Sequence, residues 1–205
     1  MGDERDSPKA RLRRALDARR EAIAADEIAR ASRAICDRVG MLEQVREAEV
    51  VVLYAARRSE IAPRSLELIA GAGRAKLFYY PRVEGDDLSF RRATFDVLAP
   101  GRYGLPEPPP EAPALSPEGA RGIVVVPGLG FDRAGRRIGT GKGYYDRTPP
   151  RFPGLMRIGS AMDDFVVDHL PTDPWDVPMH LVVTEYDLLA AGPIGGRSPG
   201  DLPWR

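Results

Sequence analysis

Four short apolar runs, at 50–55, 75–80, 123–126 and 181–184, constrain the fold more than any other feature of the chain. Unbroken hydrophobicity over so few residues marks a strand covered on both faces, and such strands build parallel sheets with helices packed on them. A weaker fifth run lies at 158–161. Residues 61–70, between the first two runs, have helical spacing and stop at Gly71, which completes a β-α-β unit. The expected fold is therefore α/β: a single domain with a mostly parallel central sheet flanked by helices, a β excursion and a long Pro-rich loop.

Leu12, Leu16, Ile23, Ile28, Ala31 and Ile35 recur at mixed steps among charged residues, which predicts a helical pattern from Pro8 to about Val39. Ser7–Pro8 suits an N-cap with proline at the first helical position, and Gly40 suits a stop before a short helix over 41–47. Residues 88–95 alternate after a turn at 85–87, predicting a β excursion at the sheet edge. The seven prolines over 98–118 resist helix and sheet and predict an extended surface connection. A domain over 8–190 with flexible tails at 1–7 and 192–205 is expected.

Charge and cysteine content narrow the function classes. Lys plus Arg and Asp plus Glu both number 30, so no net charge steers the chain to nucleic acid or anionic membrane. Cys36 is the only cysteine, which excludes an intrachain disulfide and is expected to be a small buried apolar residue. The charged first residues lack the apolar stretch of a secretory signal, and no apolar run nears the ~20 residues of a membrane span. A cytoplasmic protein acting as a monomer on small molecules, with no membrane or nucleic-acid partner, is expected.

The chemistry is concentrated after the third apolar run. That run leads into Pro127–Gly128–Leu129–Gly130–Phe131–Asp132 and then, past Arg136–Arg137, into Gly139–Thr140–Gly141–Lys142–Gly143–Tyr144–Tyr145–Asp146–Arg147. In open α/β sheets ligands bind beyond the carboxyl ends of strands. Alternate glycines let backbone amides approach an anion, Lys142 with Arg136 and Arg137 adds positive charge, and Asp146 supplies a carboxylate suited to magnesium beside phosphate. The P-loop pattern fails, because it needs glycine at Arg136 and Ser or Thr at Gly143; the dinucleotide G-x-G-x-x-G pattern fails on spacing. Residues alone leave two readings, an anion-binding loop or a glycine-rich turn with solvated cations.

This motif resembles that of the 5-formyltetrahydrofolate cyclo-ligase family, and the resemblance extends from about Lys9 to Leu188. It implies an ATP- and Mg2+-dependent enzyme that converts 5-formyltetrahydrofolate to 5,10-methenyltetrahydrofolate, releasing ADP and phosphate. Lys9 and Arg13 match the family's N-terminal ATP-contacting pair, Glu60 matches a folate-binding glutamate, and Tyr144 and Tyr145 are implied to wall the pterin side of the substrate. The resemblance also implies phosphoryl neutralisation by Lys142 and Arg137. It implies nucleotide contacts from Arg13, Gly139, Thr140, Gly141, Gly143, Tyr144 and Tyr145, and metal binding by Asp146 and Asp176. Bland readings stand beside these: a solvated helix face for Lys9 and Arg13, a helix cap for Glu60, core packing for Tyr144 and Tyr145. Arg82 either binds the folate glutamate or makes a surface ion pair.

Three positions depart from the family pattern. His180 stands where a second metal-associated Asp is usual, Trp175 where a His is usual, and Phe165 where a Gln is usual. Imidazole suits magnesium poorly. These departures raise two alternatives, a non-catalytic folate- or nucleotide-binding paralogue and an ATP-dependent ligase for another formyl or amide substrate.

Overall fold

A computed structural model describes residues 7–57, 59–71 and 75–191. The expected tails at 1–7 and 192–205 lie, Ser7 apart, outside the described residues. Two helices open the chain, α1 (Pro8–Glu21) and α2 (Ala25–Met41), followed by the short α3 (Glu43–Glu47). Ser7 caps α1 as expected: its side chain accepts from the Ala10 N–H at 3.1 Å, with Pro8 beside it in the first turn.

The single helical pattern expected from Pro8 to Val39 is two helices, broken at Ala22. The five-residue step from Ile23 to Ile28 rotates about 140° on a helix of 3.6 residues per turn, so one apolar stripe cannot run through. Asp26 and Glu27 restart the helix in the first turn of α2, where acidic side chains complement the helix dipole. Gly40 is not a stop but lies inside α2. A Cβ there would fall 2.3 Å from the Ile69 side chain, so its role is close packing against α4 (Leu66–Gly71). Cys36 is buried as expected, its thiol held up at about 11 mainly by that burial.

The strands follow in chain order. β1 (Val50–Val52), β2 (Leu77–Glu84) and β3 (Asp87–Arg92) precede a two-stranded clip of β4 (Ala99–Pro100) and β5 (Pro106–Glu107). β6 (Gly122–Pro127), β7 (Gly130–Asp132) and β8 (Arg137–Ile138) come next, then the one-turn helix α5 (Tyr144–Arg147). β9 (Leu155–Ser160), β10 (Val166–Val167), β11 (Leu181–Val183) and β12 (Leu188–Ala190) complete the set.

Seven strands form the main sheet in the order β12-β11-β9-β6-β1-β2-β3. Every pairing from β11 to β2 is parallel, and β3 and β12 close the edges antiparallel. The expected α/β fold with a mostly parallel sheet flanked by helices is the one observed, including the β excursion at the edge. Ile123, Val124, Val125 and Val126 in central β6 are at most 1% exposed, and burying each side chain is worth about 1.5–3 kcal/mol. Their doubly covered position explains why they read as an unbroken apolar run.

This order fixes where a ligand can sit. From β1 the chain moves outward to β2 and then returns across β1 to β6, so the winding reverses between β1 and β6. Crossover connections leave a crevice at such a reversal, beyond the carboxyl ends of the two strands. Here those ends are Leu53–Tyr54 and Pro127–Gly128.

Candidate functional site

A cavity of about 670 Å³ opens at that reversal. Its floor comes from Tyr54 and Ala55 after β1 and from Pro127 to Leu129 after β6. The glycine loop, Gly139 to Gly143, with α5 forms one wall. Lys9, Arg13 and Arg20 of α1 approach from outside, and Asp173, Trp175 and Asp176 come from the loop before β11. The structure thus gathers Lys9, Arg13, Glu60, Arg137, Gly139, Thr140, Gly141, Lys142, Gly143, Tyr144, Tyr145, Asp146 and Asp176 around one space.

The glycine loop owes its shape to backbone conformations that favour glycine. Gly141 and Gly143 have φ of 93° and 69°, in the left-handed region that side chains resist. The loop is held from outside by α1, where Arg13 Nε donates to Gly139 O at 3.0 Å. Arg147 guanidinium donates to Lys142 O at 3.1 Å and to Asp86 O on the β2–β3 turn. Lys142 itself is exposed and points toward Tyr103, its Nζ 5.6 Å from the ring centroid.

Positive and negative groups alternate around the cavity. Arg137, 7% exposed, donates to Asp146 Oδ1 at 2.8 Å and to Pro127 O at 3.3 Å, while its buried Nε has no partner among the described residues. Lys9 Nζ lies 2.7 Å from Asp173 Oδ2 and 2.5 Å from Asp176 Oδ2. Glu60 Oε2 accepts from the Arg57 N–H at 2.9 Å, and Oε1 faces Arg20 at 3.8 Å. Glu60 therefore both shapes its turn and lines the cavity. Burial, aided by the Glu60 charge, raises the hydroxyls of Tyr54 and Tyr145 above the ordinary phenol range and keeps them protonated. Tyr144 and Tyr145 are half-buried at the cavity wall rather than in the core.

Several expected positions fall elsewhere. Arg136 is turned away from the cavity, bonded to fully buried Asp132 at 2.6 Å and to His169 at 2.8 Å, so it adds no charge to the glycine loop. Arg82 makes an ion pair, at 3.3 Å to buried Glu107. His180 does not face the cavity. Its Nδ1 accepts from the Arg157 N–H at 2.8 Å, and its Nε2 lies 3.1 Å from the Arg157 guanidinium. Burial and that positive neighbour lower it to about 4, so it is neutral at physiological pH. Phe165 is buried under the Arg19 guanidinium, outside the main cavity, whereas Trp175 stands 69% exposed at its rim.

Sequence reasoning missed other lining residues. Tyr54, Arg57, Tyr103, Glu107, Asp173 and Arg20 all face the cavity. Arg20 was findable, because positions 9, 13 and 20 are four and seven apart and share one helical face. The Pro-rich segment is more than a surface connection: Tyr103, Leu105, Pro106 and Glu107 wall the cavity, and Tyr103 adopts a left-handed φ of 60°.

No three His, Cys, Asp or Glu side chains among the described residues gather into a metal-binding group. Asp146 and Asp176 are nevertheless hard oxygen donors on the cavity wall, each held by one cation. That donor set fits magnesium in its usual mode, with one or two carboxylates, waters and phosphate oxygens completing the shell.

Comparison with known proteins puts this geometry in context. The model of the 5-formyltetrahydrofolate cyclo-ligase family matches residues 5–185. A 5-formyltetrahydrofolate cyclo-ligase of Mycolicibacterium smegmatis is 36% identical over 89 residues, 43% of this chain and 46% of the relative. One from Escherichia coli K12 is 33% identical over 89 residues, 42% of this chain and 49% of the relative. The chain thus spans about half the length of these curated relatives. Among solved structures, the NMR structure of Aquifex aeolicus 5,10-methenyltetrahydrofolate synthetase superposes with a TM-score of 0.79 at 31% identity, covering 94% of this chain and 96% of that one. A synthetase from Mycoplasma pneumoniae, 22% identical with a TM-score of 0.70 over 87% of this chain and 99% of that one, shares the fold.

Proposed function

The chain belongs to the 5-formyltetrahydrofolate cyclo-ligase family, and on that premise we propose that it uses ATP to close 5-formyltetrahydrofolate into 5,10-methenyltetrahydrofolate. The formyl oxygen takes the γ-phosphoryl group and ADP leaves. N10 then bonds to the formyl carbon and loses its proton. The carbon–oxygen bond breaks as phosphate departs. Such a route asks the protein for positioning and charge stabilisation, not for a covalent nucleophile.

The cavity residues divide naturally between these tasks. Lys142 and Arg137 neutralise the transferring phosphoryl group, and the amides of Gly139, Thr140, Gly141 and Gly143 cradle the phosphates. Lys9 and Arg13 hold the nucleotide from the α1 side, with Tyr144 and Tyr145 walling the site. Glu60 takes N–H donors of the reduced folate, with the tyrosines as flat neighbours. Mg2+, bound by Asp146 and Asp176, would neutralise phosphate charge. The single observation that carries the reading is the meeting of the glycine loop, Lys142 and the Arg137–Asp146 pair with Glu60 around one cavity at the sheet reversal.

The same reading makes the protein a cytoplasmic monomer working on small molecules. No described helix is long and apolar enough to cross a membrane. Of the three departures that motivate the paralogue alternative, His180 and Phe165 lie off the main cavity and Trp175 stands at its rim. The test is growth of methenyl-folate absorbance when the protein meets 5-formyltetrahydrofolate, Mg2+ and ATP. Absence of product from folded protein at high concentration refutes the proposal; product formed equally well without ATP refutes the phosphoryl route.

A further inference from the structure

Arg20 lies in the last turn of α1 with only 11% of its side chain exposed, and it lines both the main cavity and a small adjoining one. One terminal nitrogen donates to Asp17 Oδ1 at 3.1 Å, the other lies 3.8 Å from Glu60 Oε1, and the buried Nε has no partner among the described residues. Glu60 is itself 13% exposed. Its Oε2 is tied to the Arg57 N–H, which leaves Oε1 to be oriented by what stands opposite. A carboxylate so little exposed is best accommodated beside a cation. The neighbouring phenols of Tyr54 and Tyr145 supply no charge, being protonated.

We infer that Arg20 is a positioning residue, which holds Glu60 aimed into the cavity and thereby sets affinity for the reduced folate. This rests on the reading of Glu60 given above. A carboxylate bonded to the Arg57 N–H at one oxygen and facing Arg20 at the other is restricted in how it presents its remaining lone pairs. That arrangement suits a flat heterocycle with adjacent N–H donors. Arg20 acts through Glu60, without touching the reacting atoms, so its loss weakens ground-state binding and leaves the chemical step in place.

The experiment is a double-substitution cycle on Arg20→Met and Glu60→Gln, with steady-state kinetics in both substrates. Arg20→Met is expected to raise KM for 5-formyltetrahydrofolate about tenfold, with kcat within about twofold and KM for ATP unchanged. In the Glu60→Gln background the same change adds less than about twofold, because the partner it orients has lost its charge. Arg20→Lys, which keeps the charge and disturbs the helix least, recovers most of the affinity. Independent, multiplying effects of the two substitutions overturn the inference, as does an equal rise in KM for ATP. If the unsubstituted protein forms no methenyl product, the proposed function itself falls and this inference with it; that outcome is visible before any variant is made.

Discussion

Lys9 Nζ lies 2.5 Å from Asp176 Oδ2, joining the first helix to the loop before β11 across the mouth of the cavity. Both side chains are about seven-eighths buried, and Asp173 contributes a second carboxylate to the same ammonium. Asp176→Asn removes the charge that holds Lys9 and one of the two proposed magnesium ligands. The expected result is a rise of about tenfold in KM for ATP and a higher magnesium requirement, measured by titrating each at saturating folate. Unchanged ATP and magnesium dependence would remove Asp176 from the site.

Lys142 offers a cleaner separation of catalysis from folding. It is exposed, and among the described contacts its ammonium meets only the Tyr103 ring, so the fold depends little on it. Lys142→Ala is expected to lower kcat by about 10²–10³, the usual loss of one transition-state charge contact, with the urea midpoint unmoved. Retention of full kcat would assign phosphoryl stabilisation elsewhere, Arg137 first.

His180 gives a dependence of stability on pH. Its folded value is about 4 against 6.5 for a free side chain. Between those values the unfolded chain takes up a proton that the folded chain refuses. Its contribution is therefore intact above about pH 6.5 and is lost as pH falls toward 4, by about 2 kcal/mol once partial exposure is allowed for. Urea midpoints at pH 7 and 4.5 measure the drop, and His180→Asn should make it smaller. Because position 180 faces Arg157, His180→Asp is also expected to leave the magnesium dependence of turnover unchanged. A variant that gains or loses metal dependence would contradict the placement.

The parallel sheet was legible because doubly covered strands leave short, β-branched apolar runs such as 123–126, too brief for a buried helix. The glycine loop was legible too, since alternating glycines beside Lys142 have few structural uses. Helix boundaries were not: the phase break between Ile23 and Ile28 was visible as a five-residue step, yet the apolar residues on each side fit helices equally well. Gly40 misled because a glycine kept for close contact with Ile69 looks the same in sequence as a helix stop. His180 misled for a related reason. Alignment to a family pattern names a position but not the direction of its side chain, and here the direction is set by Arg157 across the sheet. Tyr103 and Glu107 were hidden because proline density reports local stiffness and says nothing about what the segment folds over.

Tyr54 tests whether the floor of the cavity is rigid. Its hydroxyl donates to Ile61 O at 2.5 Å and shares a 3.2 Å hydrogen bond with Ser160 Oγ, tying the end of β1 to the Glu60 turn and to β9. All three residues are at most 6% exposed, so no water replaces a lost bond easily. Tyr54→Phe keeps the ring and leaves a buried carbonyl and a buried hydroxyl short of a partner, at a cost of about 1–3 kcal/mol. For a chain of this size each kcal/mol lowers the melting temperature by about 2–4 °C. The freed turn also lets Glu60 drift, so KM for the reduced folate should rise while KM for ATP, assigned to other side chains, holds. Loss of stability without a change in folate KM would show that Arg20 and Arg57 suffice to fix Glu60; no loss of either kind would mean that the hydroxyl contributes nothing to the floor.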